Sequence, residues 1–362
     1  MGQPLNVGIV GLGTISAQYL KTFDSLQSVR LVAVADLDPA RSAAVAEERV
    51  GVRSCTVTEL LAMPAVDLVL NLTIPIAHAD IALQAIAAGK GVYGEKPLAL
   101  NTTQAREVMT AAAAAGVVVG CAPDTVLGTG IQTARRAIDD NLIGRPIAAS
   151  ATMVTPGHER WHPHPDFYYQ PGGGPLLDMG PYYLSALVTL LGPVTSAVGA
   201  ASRTRSTRTI GSGPRQGSTV PVDIDTHVTG ILTHASGALS TLVMSFDAVA
   251  TQSANIEIHG TLGSLGVPDP NHFEGDVQLR VLGDDKWTTL PISAGYAAGG
   301  RGIGLADIAS TPPGSTPRAS GALAYHVLDI METLLDSTRS GHAQTVSSTV
   351  DRPSPVALQG LT

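Results

Sequence analysis

The chain has 362 residues, of which 22 are basic and 30 acidic, for a net charge of -8; 44% are hydrophobic and 14% charged. It is too apolar for intrinsic disorder and too acidic to attract a polyphosphate, so nucleic acid is excluded as a partner, and the length suits two domains. Two cysteines, Cys55 and Cys121, lie in apolar stretches without pairing or zinc-ligand spacing, which excludes a disulfide scaffold and points to a reducing cytoplasm. The opening MGQPLNVGIVG has no basic and apolar leader pattern, and no run of 18 apolar residues occurs, so no membrane partner is expected.

The first 120 residues alternate short apolar runs with alanine-rich stretches. The runs at 5–10, 31–35, 68–72, 91–93 and 117–121 predict strands, and those at 77–88 and 102–115 predict helices, together a parallel sheet covered on both faces. After Cys121 the pattern changes. A helix is expected over 128–141, then strands at 147–154, 227–233, 238–246 and 255–259, the mark of an α+β domain with a largely antiparallel sheet. The boundary is placed at 122, giving domains 1–122 and 123–362. Segments 202–221 and 294–321, rich in Gly, Pro and small polar residues, read as loosely structured; Arg203, Arg205 and Arg208 fall in the first of them. Leu323, Val327, Ile330, Met331, Leu334 and Leu335 recur at helical spacing near the end.

VGIVGLGTIS places Gly11, Gly13 and Ser16 in a G-x-G-x-x-small turn between a strand and a helix. Gly11 permits the tight turn, and Gly13 lets a pyrophosphate approach the backbone, so that Thr14 and Ile15 open a helix whose N–H groups and dipole favour the anion. Asp36 closes the second strand about 20 residues on, where a carboxylate accepts from an adenosine ribose and repels a 2′-phosphate. NAD is therefore favoured over NADP, with Arg41 as the residue that would argue the other way. Asp38 before Pro39 reads as a helix cap. Asp124, after Pro123, is positioned to reach a cleft at the domain junction.

HERWHPH and the aromatic residues after it crowd His158, His162, His164, Trp161, Phe167, Tyr168 and Tyr169 into a short stretch of an aromatic-poor chain. Flat rings suit the C–H face of a pyranose or cyclitol, and imidazoles its hydroxyls, so His158, Trp161 and His162 are candidate substrate-binding residues. A three-histidine metal site is the competing reading, but it lacks a further ligand at the right spacing apart from Glu159, and no metal is expected.

GLGTIS, the TIPIAH segment with Thr73 and His78, GVYGEKPLALN with Glu95 and Lys96, GGGPLLDMGPYYLSALVTLLG, and the late IHGTLGSL resemble, in their order and over nearly the whole length, the Gfo/Idh/MocA family of nicotinamide-dependent sugar and cyclitol oxidoreductases. The resemblance implies a Rossmann domain followed by a domain with an open sheet, with the active site between them and Lys96 facing the nicotinamide. It also implies cofactor contacts from Gly11, Gly13, Thr14, Ile15, Asp36, Thr73, His78, Glu95 and Lys96. Where most members have histidine four residues after the aspartate, this chain has Tyr182, as the glucose–fructose oxidoreductase and dihydrodiol dehydrogenase branches do.

Asp178 and Tyr182, four apart, share a helix face, although Pro181 disturbs that turn. A phenol with a pKa of about 10 takes up a proton poorly near neutral pH, but an ammonium nearby favours the phenolate. The expected catalytic set is therefore Lys96, Asp178 and Tyr182, all three also touching substrate. The expected reaction is hydride transfer between NAD and a secondary alcohol or ketone carbon of a sugar, sugar derivative or cyclitol. Two alternatives stay open: a redox-neutral glycosidase or epimerase holding NAD tightly, and a non-enzymatic dinucleotide sensor. An exposed sheet face makes a homo-oligomer, dimer or tetramer, the expected assembly.

Overall fold

The computed structural model describes residues 3–312 and 314–360. The chain forms two compact units: Met1–Gln132 with Ser293–Leu328 and Pro353–Thr362, and Thr133–Ile292 with Asp329–Arg352.

The first unit opens with β1 (Leu5–Val10), α1 (Ser16–Phe23), β2 (Val29–Ala35), α2 (Pro39–Glu48), β3 (Arg53–Ser54), α3 (Val57–Ala62) and β4 (Leu68–Asn71). It continues through α4 (His78–Ala87), β5 (Gly91–Gly94), α5 (Thr102–Ala115) and β6 (Val119–Cys121). The six strands lie in the order β3-β2-β1-β4-β5-β6, and all pairs are parallel. The order reverses at β1 and β4, the switch point where doubly wound sheets bind their ligands. β1 and β4 end in four consecutive buried residues each, as strands covered on both faces must. Local chemistry sets several helix starts: Asp38 caps α2 ahead of Pro39, Thr56 and Glu59 form a capping box on α3, and Asn101 caps α5. The two-residue β3 has no apolar run to announce it, because both its residues are exposed at the sheet edge.

The two units depart from a division at 122 through the segments that return to the first of them. Cys121 N donates to Ala319 O at 3.1 Å and Tyr296 N to Leu127 O at 3.0 Å, so 293–328 is tied to the main chain that follows β6. Nor is 294–321 loosely structured: it contains α8 (Ile303–Ser310). Asp124, expected near a cleft, is fully buried, and its Oδ2 accepts from Gly302 N at 2.8 Å and Gly304 N at 3.1 Å at the start of α8. Burial pushes its pKa up and Glu95 adds to the shift, against the two amides and Arg301.

The second unit receives the end of α6 (Thr129–Asp139) and continues with β7 (Pro146–Val154), α7 (Pro175–Leu191), β8 (Val194–Ser202), β9 (Thr207–Thr209) and β10 (Thr219–Pro221). Then come β11 (His227–His234), β12 (Leu239–Ser245), β13 (Ile256–Gly260), β14 (Gly263–Val267), β15 (Gln278–Val281) and β16 (Thr288–Thr289). The end of α9 (Gly321–Ser340) and β17 (Gln344–Thr345) complete it. Nine strands form one sheet in the order β16-β15-β14-β13-β7-β12-β11-β8-β17, antiparallel throughout except β7 with β12.

One face of this sheet is buried, as the alternation along β11 and β12 requires. α7 packs on β7, β11 and β12, and Leu334 of α9 fills the space left by Gly199 and Gly230, where an added Cβ would stand 2.5 Å from its Cδ1. Ile231 and Leu239 are 46% and 48% exposed on the opposite face. Segment 202–221, expected to be loose, holds the β9–β10 hairpin, and Arg208 at its centre is buried.

The Asp124 cap yields a stability prediction. Asp124→Ala strands two buried amides and should cost about 3 kcal/mol in denaturant unfolding, whereas Asp124→Asn keeps an acceptor oxygen and should cost less than about 1 kcal/mol.

Candidate active site

In the first unit the glycine turn leaves β1 with Gly11 N bonded to Ala35 O at 2.9 Å. Gly11 has φ +95°, and an added Cβ would lie 2.8 Å from the Leu72 backbone, so β4 closes against this turn and only glycine fits. Gly13 is different: nothing lies within 4 Å of where its Cβ would be. Ser16 N and Oγ both donate to Gly13 O, at 3.0 and 2.7 Å. Thr14 is exposed, and Ile15, at the cap position of α1, gives the helix no side-chain cap. The first N–H groups of α1 are thus not capped by that residue, behind a turn with open space over Gly13, an arrangement that fits a pyrophosphate.

Asp36 has two tasks at the end of β2. Its Oδ2 accepts from Leu12 N at 2.6 Å and its Oδ1 from Asp38 N at 2.9 Å, so the carboxylate ties the glycine turn to the neighbouring strand. Arg41 stands 4.0 Å from Asp36 and 3.7 Å from Asp38, its charge already answered by carboxylates.

Thr73, His78, Glu95 and Lys96 come together through two residues that the sequence reading did not single out, Asn71 and Tyr19. Asn71, the polar end of an otherwise apolar strand, accepts at Oδ1 from Thr73 N (3.2 Å) and Thr73 Oγ1 (2.6 Å), and donates to His78 O at 3.0 Å. The buried His78 ring lies between two carbonyls, with Nδ1 2.6 Å from Pro97 O and Nε2 3.0 Å from Thr73 O. Glu95 accepts from Tyr19 Oη at 2.7 Å and from Lys96 N at 3.0 Å. The turn carrying Lys96 is therefore braced from α1 by Tyr19 and from α4 by His78. Burial, with Glu95 next to it, raises the Tyr19 pKa well above its ordinary value, so Tyr19 stays a hydrogen-bond donor.

In the second unit α7 starts at Gly174, with φ +101°, followed by Pro175, and places Asp178 in its first turn. Tyr182, one turn on, is 5% exposed and Tyr183 is 1% exposed. Tyr183 accepts from Asn255 Nδ2 at 3.0 Å, and burial raises its pKa; both phenols are buried. Asp178 Oδ2 lies 3.1 Å from His158 Nε2, both side chains being partly exposed.

His158 stands on a 3-10 turn (His158–Arg160) among Trp161, Tyr168 and Phe246, with ring centroids 5.3, 4.6 and 4.5 Å away. His162 meets Trp161 and Phe167 edge-on at 5.4 Å. Burial lowers its pKa, partly offset by the amide of His164 and aided by the charges of His164 and His158, so the neutral ring is favoured near neutral pH. Trp161 is 58% exposed. The structure thus brings Asp178, His158, Trp161 and His162 into one aromatic, partly open cluster, and Lys96 belongs to the other unit. Among the described residues, no group of three His, Cys, Asp or Glu side chains is arranged to hold a metal ion, and no helix is long and apolar enough to cross a membrane.

A family model for the oxidoreductase family with an NAD-binding Rossmann fold matches residues 5–122, and the Gfo/Idh/MocA C-terminal domain model matches 131–266. The chain is 31% identical to the 1,5-anhydro-D-fructose reductase of Ensifer adhaerens, over 71% of this chain and 74% of that one. It is 26% identical to the inositol 2-dehydrogenase of Rhizobium meliloti, over 79% and 81%. The crystal structure of an NAD-binding oxidoreductase from Klebsiella pneumoniae superimposes with a TM-score of 0.81 at 25% identity, covering 95% of this chain and 99% of that one. A levoglucosan dehydrogenase solved with NADH and L-sorbose shares the fold, with a TM-score of 0.79 at 22% identity over 96% and 100% of the two chains.

The two glycines separate structure from binding. Gly11→Ala should lower the melting temperature, because its Cβ meets backbone and its φ is strained. Gly13→Ala should leave stability of the free protein within about 1 kcal/mol and weaken NAD at least roughly tenfold by calorimetry. Equal NAD affinity for Gly13→Ala and the parent would show that no pyrophosphate approaches there.

Proposed function

Because this chain belongs to the Gfo/Idh/MocA family of NAD-binding oxidoreductases, we propose that it transfers a hydride between NAD and a secondary alcohol or ketone carbon of a sugar, sugar derivative or cyclitol. The carrying observation is the glycine turn before α1, in a region matched by the NAD-binding family model. In this reading the N–H groups of α1 bind the pyrophosphate, Asp36 accepts from the adenosine ribose, and Thr73, His78 and Glu95 shape the loops around the nicotinamide. NAD, when bound, accepts the carbon-bound hydride of the alcohol at its nicotinamide ring.

The remaining chemistry falls to the chain. Tyr182 removes the hydroxyl proton, and Lys96 stabilises the negative charge that develops on the substrate oxygen. Asp178, paired with His158, accepts a hydrogen bond from a neighbouring hydroxyl. His158, Trp161 and His162 form the wall against which the ring of the polyol rests. The substrate class follows the relatives' names, an anhydrofructose reductase and an inositol dehydrogenase. NADP fits less well, since Asp36 faces the ribose position and Arg41 is paired with acids. We also place the protein in the cytoplasm, where Cys55 and Cys121 remain thiols. It is there as a dimer or tetramer that covers Ile231 and Leu239 on the open sheet face.

Incubation of the purified protein with NAD and a panel of sugars and cyclitols tests the reading. NADH accumulates if the proposal holds, whereas altered sugar without NADH assigns a redox-neutral reaction. Tyr182→Phe should lower kcat by about 10²-fold or more with NAD affinity unchanged. Retention of most activity would move the proton-carrying role to another residue.

A further inference from the structure

A second polar cluster lies in the same unit as the aromatic wall, and no step of hydride transfer uses it. Arg208, on β9, has a fully buried side chain that reaches Glu159 at 3.1 Å, Asp247 at closer range, and Pro156 O at 3.0 Å. Its guanidinium lies over the Tyr169 ring, 5.2 Å from the centroid. Tyr169 Oη donates to Glu159 and accepts from His158 N at 3.1 Å. Burial and Glu159 raise the Tyr169 pKa, so the phenol keeps the proton it donates. An ion cluster so far from water is a poor source of stability, and its use must be sought in the geometry it imposes.

Several bonds around the cluster end on the same turn, although the Arg208–Asp247 pair does not. Besides the contacts of Arg208 and Tyr169, Gly211 N donates to Glu159 O at 2.7 Å, and Ser212 Oγ to Trp161 O at 2.7 Å. Gly157, with φ +112°, has no room for a side chain, since a Cβ there would overlap the Glu159 carboxylate and the Arg208 guanidinium. The hairpin, in a stretch that the sequence presents as loosely structured, is a buttress for the main chain of residues 157–161.

We propose that the Arg208–Glu159–Tyr169 node is a positioning device, fixing the 158–161 turn so that His158 and Trp161 stand preset against a polyol. The proposal rests on the reading of those two side chains as the substrate wall. Arg208, Glu159 and Tyr169 are positioning residues: they act through the turn and do not touch the reacting atoms. A preset wall spares the substrate the cost of ordering it, so loosening the node weakens binding and leaves the chemical step alone.

Tyr169→Phe is the test, because it keeps the ring under Arg208 and removes only the hydroxyl between His158 N and Glu159. In a Trp287→Phe background, Trp161 is the sole tryptophan and reports on the turn. With myo-inositol at the head of a polyol panel, KM for the polyol that turns over should rise roughly tenfold, while kcat and NAD affinity change little. Acrylamide should quench Trp161 more strongly. Ser212→Ala, at a half-buried site, should move KM and quenching in the same direction by less, and it supplies the readout if Tyr169→Phe does not fold. Unchanged KM and quenching in the folded variants would overturn the proposal, as would a fall in kcat at constant KM with quenching unchanged. If the parent enzyme turns over no polyol, the functional reading fails by itself; quenching then decides whether the node holds the turn.

Discussion

Strands of a parallel sheet end with main-chain groups that no neighbouring strand satisfies, and the loops beyond them must find partners or stay mobile. In this protein side chains supply those partners. Asp36 takes the Leu12 amide, Asn71 takes Thr73 and the carbonyl of His78, and Glu95 takes Tyr19 and the Lys96 amide. His78 then joins the loop after β4 to the turn after β5 through two carbonyls. The glycine turn and the Lys96 turn are thereby parts of one hydrogen-bonded edge. A cofactor bound there meets groups already in position, which lowers the ordering cost of binding.

The second unit meets the same demand differently. Its wall of rings is carried by irregular chain between β7 and α7, which has no sheet neighbour of its own. Order comes from α7, through Asp178 and His158, and from the β9–β10 hairpin, through Arg208, Glu159 and Tyr169. Aromatic packing among His158, Trp161, Tyr168 and Phe246 adds apolar area without demanding one arrangement, so the directional bonds set the geometry. A wall of this kind suits a ligand that offers both a C–H face and hydroxyls.

Much of the first unit was legible as sequence, because short continuous apolar runs and capping residues act locally. Thr102–Ala115 and Leu5–Val10 form over the spans their own composition predicts. Where the reading failed, the deciding contacts were remote in sequence. Residues 293–328 belong with the first unit because their backbone bonds to residues 120–128, which nothing in a glycine-rich stretch announces. Arg208 was one of three arginines in a stretch that reads as a polar loop; its burial depends on Glu159 and Asp247, 49 and 39 positions away. Asp124 looked available for a cleft and instead caps a helix 178 residues further on.

The sequence alone determined which kinds of unit form and which chemical groups they carry, but not which segments make them up. Glycine at 11 and 13, a carboxylate at 36, a lysine at 96 and the Asp178–Tyr182 pair are properties of residue type and short spacing, and helix and strand geometry convert short spacing directly into a shared face. Only the tertiary structure decided which polar groups are spent on holding the fold. That choice is made by burial: a polar side chain out of water must find a partner, and the partner comes from whichever distant segment packs beside it.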